Sequence, residues 1–343
     1  MPTFTTEQLK KLSVKMFKAA GASDEQAETV TEILLETSLF GIDSHGVRSV
    51  PEHVKNLKMG KIRPDAKIKV IKDTMTTAFW EGGQQYGHVV AKKAMDEAIR
   101  KAESYRIGWV STVSEHIGAL YYYSLMAAKK DLIGITTCRT TGYRVTPYGG
   151  KAGRLGTNPL AICIPAFKER PILLDMATSM VAAGHVAVMA ARGERSPEEW
   201  FLDKDGKPST DPNDFIKGGF IVPFGTYKGY GLSVAVAALP SFLPGLGIEG
   251  EDKPYAWGHT FMALDPAGFM SLQAFKERTD DLIRWIKSCP PLHGMEVLIP
   301  FEREWRVRER REREGIPVDK PFWEEFVKVG KEIGVNVNKE MGL

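Results

Sequence analysis

The chain predicts an α/β or α+β protein, and two observations carry that expectation. Helical and extended periodicities alternate from about residue 67 to residue 180, and the first sixty residues read as capped helices. At 343 residues, roughly 150 to a domain suggests about two domains.

The elements follow in order. Thr5 and Gln8 have capping-box spacing, and Leu9, Leu12, Met16 and Ala20 share a face behind them. Ser23 and Gln26 repeat the device ahead of Ala27, Val30, Leu34 and Thr37, and Gly41 stops that helix. Ser49 and Glu52 have the same spacing with Pro51 in the first turn, and Gly60 and Pro64 end the helix they open. Residues 67–80 predict a strand, 87–104 a helix and 108–113 a strand that delivers Ser114, Glu115 and His116. A helix over 117–130, strands over 132–138 and 159–165, and a strand at 172–174 complete the alternation. Residues 193–225, rich in Pro and Gly, predict a long surface excursion, and helices are expected to dominate after 228.

Composition narrows the function. Lys plus Arg is 46 and Asp plus Glu is 43, a net charge of +3, which gives no electrostatic argument for nucleic acid or an anionic membrane. Arginines 303, 306, 308, 310, 311 and 313 alternate with acids 302, 304, 309, 312 and 314, so that run predicts a solvated, salt-bridged helix. Cys138, Cys163 and Cys289 stand too far apart for a disulfide framework or a zinc motif. The N-terminus has no apolar core of a signal peptide, and the continuous apolar part of 229–248 is short of a membrane span. A reducing cytoplasm is the expectation, with no metal and no membrane.

Gly245, Gly247 and Gly250 match G-x-G-x-x-G. Pro240 and Pro244 precede them, and Glu251, Asp252 and Pro254 follow. The dinucleotide fingerprint needs a strand before and a helix after, so these are loop glycines and the usual Rossmann signature is missing.

Several constellations carry chemistry. Asp43, Ser44, His45 and Arg48 place an acid, a hydroxyl, an imidazole and a guanidinium in one helix connector. Histidine moves a proton near neutral pH and arginine grips a carboxylate. The bland alternative is a capped turn with a solvated arginine. Ser114 to His116 follow a strand end, where a lone histidine also serves as a capping residue. Gly149, Gly150, Gly156, Thr157 and Asn158 bracket a loop whose amides suit an anion, or simply two turns. Asp175, at a strand end, suits ribose hydroxyls or the cap of a helix at Met180. Lys228 suits a phosphate or ribose contact, or a tight helix start. The run Tyr121, Tyr122 and Tyr123 suits core packing.

Taken together, these segments resemble the malate/L-lactate dehydrogenase family of non-Rossmann NAD(P)-dependent oxidoreductases. The matching pieces run in order through the chain: GIDSHGVRS at 41–49, GKIRP at 60–64, SEHIGAL at 114–120, PYGG at 147–150, LGTNPLAICIP at 155–165, LLDMATS at 173–179, DKDGKPSTDP at 203–212, PFGTYKGYGLS at 223–233, GHTFMALDP at 258–266 and LIPFERE at 298–304. The resemblance implies a mixed-sheet α/β domain that binds the cofactor without a Rossmann fold, plus a helical domain built from both chain ends. It divides the chain into residues 1–70, 71–225 and 226–343, the last packing back on the helical part. It implies a homodimer and NAD or NADP as cofactor, with NAD slightly favoured. It implies hydride transfer at C2 of a small 2-oxo or 2-hydroxy acid of malate or lactate type. The alternative is reduction of a cyclic imino acid, sulfopyruvate or a sugar-derived 2-oxo acid.

Carried over by resemblance, His45 matches an acid/base with Ser44 as relay, and His116 matches the acid/base of other members. The choice stays open, with His45 favoured because it shares a segment with Arg48. Arg48 matches a substrate-carboxylate clamp, and Thr157 a substrate-side position. Cofactor contacts match His116, Gly118, Ala119, Leu120, Asp175, Met176, Ala177, Lys228, Pro300, Phe301, Glu302 and Arg303. Departures are Phe301 where glycine is frequent, His185 where lysine or aspartate is common, and a short segment between Leu243 and Gly258. His185 is expected to tune substrate choice or to be inert.

Overall fold

A computed structural model describes residues 3–247 and 257–342. Gly250, and most of the short segment before Gly258, lie outside the described residues.

The N-terminal elements are β1 (Thr3–Phe4), α1 (Thr6–Ala19), α2 (Asp24–Leu39) and α3 (Val50–Lys58). Both expected capping boxes form: the hydroxyls of Thr5 and Ser23 accept from the amides of Gln8 and Gln26, whose side chains accept in return. The third does not. Ser49 already has helical dihedrals at the end of a 3-10 turn, and its hydroxyl donates to the Gly46 carbonyl.

The expected strand over 67–80 is a hairpin, β2 (Lys69–Asp73) and β3 (Thr77–Glu81), closed by the Thr74 hydroxyl on the Thr77 amide. Next come α4 (Gly87–Tyr105), β4 (Ile107–Ser114), α5 (Tyr121–Ala128), β5 (Ile133–Arg139), β6 (Leu160–Ile164) and β7 (Ile172–Met176). The helix expected from 117 begins only at Tyr121, because Gly118 is left-handed at φ 76°. Tyr121, Tyr122 and Tyr123 are all buried.

Residues 193–225 are not a bare excursion. With α6 (Ala183–Arg192), they form β8 (Phe201–Leu202), β9 (Pro208–Ser209), α7 (Pro212–Ile216) and β10 (Phe220–Ile221). The three strands pair in one small sheet. Phe201, Phe215 and Ile221 close a separate core with Val145, Val181, Val186 and Met189. Turn residues are dense because the strands are short, not because the segment is loose.

The remaining elements are α8 (Tyr227–Phe242), β11 (Trp257–Leu264), α9 (Leu272–Lys287), α10 (Glu302–Glu314), β12 (Ile316–Pro317), α11 (Lys320–Glu332) and α12 (Val337–Met341). Against the expectation of helices after 228, β11 is a central strand of the main sheet. Among the described residues that sheet has the order β2-β3-β4-β11-β5-β6-β7. Only β3 and β4 pair in parallel; the other neighbours are antiparallel, so the sheet is mixed.

The helical part does use both ends of the chain. Phe4 pairs with Ile316 across β1 and β12. Leu9, Leu12, Met16 and Phe17 share one core with Phe326, Val329, Val337 and Met341. The basic-looking α10 is only partly solvated: Arg311 is buried and Arg308 pairs with Glu36 of α2. Among the described residues no helix is long and apolar enough to cross a membrane.

Candidate active site

Register places the chemistry at one end of the sheet. The end of β4 faces the start of β11 as Ser114 faces Trp257. Arg139 at the end of β5 faces Gly258, and Met176 at the end of β7 faces Leu160 at the start of β6. His116, Thr157 and Asp175 therefore all emerge at that edge.

A cavity of about 340 Å³ opens beside β4, lined by Ser44, His45, Ser49, His53, His88, Glu115, His116, Gly184 and Trp257 among others. That is within the usual size of a small-molecule site, ~300–1,000 Å³. Four of the chain's seven histidines meet here. The His45 and His116 rings stack at 5.4 Å. His88 lies edge-on to His53 at 5.1 Å and to His116 at 6.2 Å, and Trp257 stands edge-on to His116 at 5.2 Å. Two backbone approaches hold the cluster together. A Cβ on Gly87 would fall 2.2 Å from the Glu115 carbonyl, and one on Gly118 would fall 2.9 Å from His88 Nε2. Glycine at both positions lets α4 and the 115–118 loop close on each other.

Burial disfavours the charged imidazole. It lowers His45, pushes His116 and His88 well below the usual range, and brings His53 to about 4. A charge on His45 also disfavours a proton on His53, His88 and His116. Ser44 Oγ lies 2.9 Å from His45 Nδ1, leaving Nε2 of His45 free of that bond. Both ring nitrogens of His88 and Oε1 of Glu115 are buried without a hydrogen-bond partner. Among the described residues, no three His, Cys, Asp or Glu side chains converge as a metal site would need.

The structure gathers Ser44, His45 and His116, but it does not bring three other expected residues to this cavity. Arg48 lies outside the lining. Its Nη2 is 3.0 Å from Asp319 and 3.5 Å from Asp43, and its guanidinium covers the Phe322 ring at 4.9 Å. The cause is local: Gly46 adopts φ −99°, ψ −156° and breaks the connector into two turns, Asp43–His45 and Val47–Ser49. Thr157 instead gives its carbonyl to the amide and hydroxyl of Thr178. His185 is exposed on α6, although its neighbour Gly184 lines the cavity beside Ser44.

The expected cofactor residues fall into linked pieces. Asp175 does not cap a helix at Met180, since α6 starts at Ala183. Its Oδ2 accepts the Tyr121 amide at 2.9 Å, fixing the loop of Gly118, Ala119 and Leu120, and burial lifts its pKa to about 7. Phe301 packs on Tyr121 at 4.9 Å and on Phe40 at 5.2 Å. It sits at φ 71°, the left-handed region where glycine is at ease, and the buried ring offsets that strain. Pro300 and Glu302 line a cleft of about 410 Å³ with Lys168, Arg170, Lys287, Trp305 and Arg306. The Trp305 indole N–H is buried without a partner. Met176 ends β7 and Ala177 follows it, while Lys228 and Arg303 are exposed. Sequence reasoning missed His53, His88 and Trp257. The density of histidine between 45 and 116 was the available signal.

Comparison with known proteins gives a consistent picture. A family profile described as Malate/L-lactate dehydrogenase matches residues 4–327. An L-sulfolactate dehydrogenase of Methanocaldococcus jannaschii is 37% identical over 338 residues, 96% of this chain and 97% of that protein. A malate dehydrogenase of Pyrococcus horikoshii is 34% identical, covering 94% of this chain and 93% of its own. The solved sulfolactate dehydrogenase from M. jannaschii superposes with a TM-score of 0.91 at 36% identity, covering 98% of this chain and 99% of that one.

Proposed function

The chain belongs to the malate/L-lactate dehydrogenase family, and from that premise we propose that it moves a hydride between a nicotinamide cofactor and C2 of a small 2-oxo/2-hydroxy acid. The observation that carries this reading is the hydrogen-bonded Ser44–His45 pair at the cavity beside His116. The relatives act, by name, on malate, lactate and sulfolactate, and that class is the starting point for this chain.

Two features fit a nicotinamide cofactor. The 410 Å³ cleft sets Lys168, Arg170, Lys287 and Arg306 among Glu169, Glu302 and Glu309, and offers the unpartnered Trp305 N–H to a phosphate-bearing nucleotide. Phe301 on Tyr121 ties that cleft to the loop beside the histidines. In this reading Gly118 to Leu120, Asp175 to Ala177, Lys228 and Pro300 to Arg303 hold the cofactor, which when bound supplies the hydride. NAD is taken first and NADP second.

The chain's own residues do the rest. His45 moves the proton at the substrate oxygen through Nε2, while Ser44 holds Nδ1 and sets the tautomer. His116, deeper and stacked on His45, positions that ring and excludes water together with Trp257. The first amides of α6 at Ala183 and Gly184 have no partner within the helix and, with Ser44, receive the substrate carboxylate. Arg48 supports the connector from behind. A second copy of the chain fits the exposed Val234, Leu239 and Phe242 on the uncharged length of α8 after Lys228.

The test is loss of absorbance of NADH and of NADPH with oxaloacetate, pyruvate, sulfopyruvate, a sugar-derived 2-oxo acid and a cyclic imino acid. Turnover of a 2-oxo acid is expected. Turnover of the imino acid alone replaces the reading, and no turnover at all overturns it.

A further inference from the structure

The helix α10 has one face on the nucleotide cleft and the other on the connector that carries Ser44 and His45. Glu302, Trp305, Arg306 and Glu309, spaced by three and four residues, line the cleft of about 410 Å³. The helical turn puts Val307, Arg308 and Arg311 on the opposite side. A Cβ on Gly41 would fall 2.8 Å from Val307 Cγ1, so the start of the connector rests on that side chain. Arg308 pairs with Glu36 at 2.5 and 3.3 Å and covers the Phe40 ring at 4.8 Å. Arg311 holds Asp43 and also donates to the Ser38 carbonyl. The Ser38 hydroxyl in turn accepts the Val47 amide at 2.9 Å, so the turn around His45 is gripped on both flanks.

This helix has little core of its own. Of its thirteen residues only Trp305 and Val307 are uncharged. Both abut the end of α2: Trp305 stands edge-on to Phe40 at 4.7 Å, and Val307 meets Gly41. The rest of its hold is polar, through Arg170 to Glu309 on the cleft side and through Glu36 and Asp43 on the other. A segment with few buried apolar contacts belongs to the readily displaced part of a fold. A ligand filling the cleft would meet α10 on one wall and Lys168, Arg170 and Lys287 on the other. It would thereby steady the helix on which the connector leans.

We infer that α10 carries the effect of a nucleotide in the cleft to the connector, so that the adenosine half of the cofactor helps to place Ser44 and His45 as well as tightening binding. This rests on the cofactor reading above and deepens it. Val307 and Arg308 are positioning residues in that link: they touch the connector side and lie outside the cleft lining. Binding energy from a remote, unreacting part of a ligand is then used to orient the reacting groups, where a misplacement of ~1 Å costs about a hundredfold in rate.

The test separates affinity from placing. Reduced nicotinamide mononucleotide lacks the adenosine half but donates the same hydride to the 2-oxo carbon, leaving the oxidised mononucleotide while His45 gives the proton. The acceptor is pyruvate, oxaloacetate or sulfopyruvate, whichever is reduced fastest with NADH. At saturation, kcat with the mononucleotide should fall at least about tenfold below kcat with NADH. Adding AMP, which carries no hydride, should restore at least about fivefold. Without any turnover, AMP alone should slow amide hydrogen exchange over residues 41–49 by about fivefold or more, beside its direct effect on 299–309. Val307→Ala and Arg308→Met should bind AMP nearly as tightly as wild type by calorimetry, yet lose most of the rescue and of the protection at 41–49. Equal kcat for the mononucleotide and NADH overturns the inference. So does AMP binding without rescue or without protection at 41–49, and so does rescue undiminished in both variants. If the variants fail to fold, the wild-type rescue and protection decide. AMP that neither binds nor shields 299–309 overturns the nucleotide reading of the cleft, and the inference with it. No turnover of any 2-oxo acid overturns the proposed reaction alone, and the exchange experiment then decides the link.

Discussion

The connector after α2 presents two polar regions that treat their side chains in opposite ways. On one side, Asp43 takes Arg311 in two bonds of 2.6 and 2.9 Å, and Arg48 rests between Asp43 and Asp319 under Phe322. On the other, His45 stacks on His116 in a cavity lined also by His88 and Glu115, which keep buried polar atoms without a partner. The two regions share one short stretch of chain, yet one pairs its charges and leaves only Arg48 Nε and Arg311 Nε without a partner, while the other leaves both ring nitrogens of His88 and Oε1 of Glu115 unpartnered. Paired groups tie α10 and α11 to the connector, so they belong to the fold. Idle ones are a standing cost of order 1–3 kcal/mol each.

The sharpest way to break this contrast is to delete the imidazole at each histidine in turn. His45→Ala should lower kcat by about a hundredfold or more, with melting temperature nearly unchanged. His116→Ala should raise KM as well, because His45 loses the ring it stacks on. If neither variant falls that far, the proton assignment fails.

The paired side should show the reverse pattern. Arg311→Ala leaves Asp43 without its main partner and should cost about 3 kcal/mol or more of stability, read by denaturant unfolding. Arg48→Ala should cost less, about 1–2 kcal/mol, because Asp43 keeps Arg311. Its KM should stay within a few-fold of wild type; a large rise in KM would instead make Arg48 the carboxylate clamp that the sequence suggested.

Acid should attack the unpaired side first. His259, behind the cavity near Ser114 and Thr112, is held at about 3 by burial. The unfolded chain takes up that proton near pH 6.5, ~3 units before the fold does. The stability tied to this residue is thus complete above about pH 6.5 and is lost as pH falls toward 3, by about 2 kcal/mol at pH 5. His53, held at about 4, adds in the same direction. His259→Gln should therefore narrow the difference in melting temperature between pH 7 and pH 5. An unchanged difference would mean that the His259 ring is better hydrated than its burial implies.

What could be read beforehand follows the same division. The boxes at Thr5 and Ser23 were legible because every partner lies within three residues. The strand β4 was legible because a buried run of apolar residues follows a helix and ends in polar ones. The strand β11 was not. It is covered on both faces, so it lacks alternation, and His259 and Thr260 interrupt its apolar run. The Ser44–His45 pair was visible as neighbours. The meeting of His53 on α3 with His88 on α4 depends on how those helices pack, which no local spacing reports. Arg48 lies outside the cavity lining for a related reason. Adjacency fixes distance along the chain but not direction, and the extended backbone of Gly46 turns Arg48 away from His45.

The position of β11 also has a consequence for how the molecule is made. Its residues are synthesised after α8, yet they must slot between β4 and β5, strands that left the ribosome more than a hundred residues earlier. Until residue 264 emerges, β4 and β5 each keep an unpaired edge. The sheet's middle is therefore its last part to be finished, and the nascent chain must hold two open edges apart while a late strand is still being built.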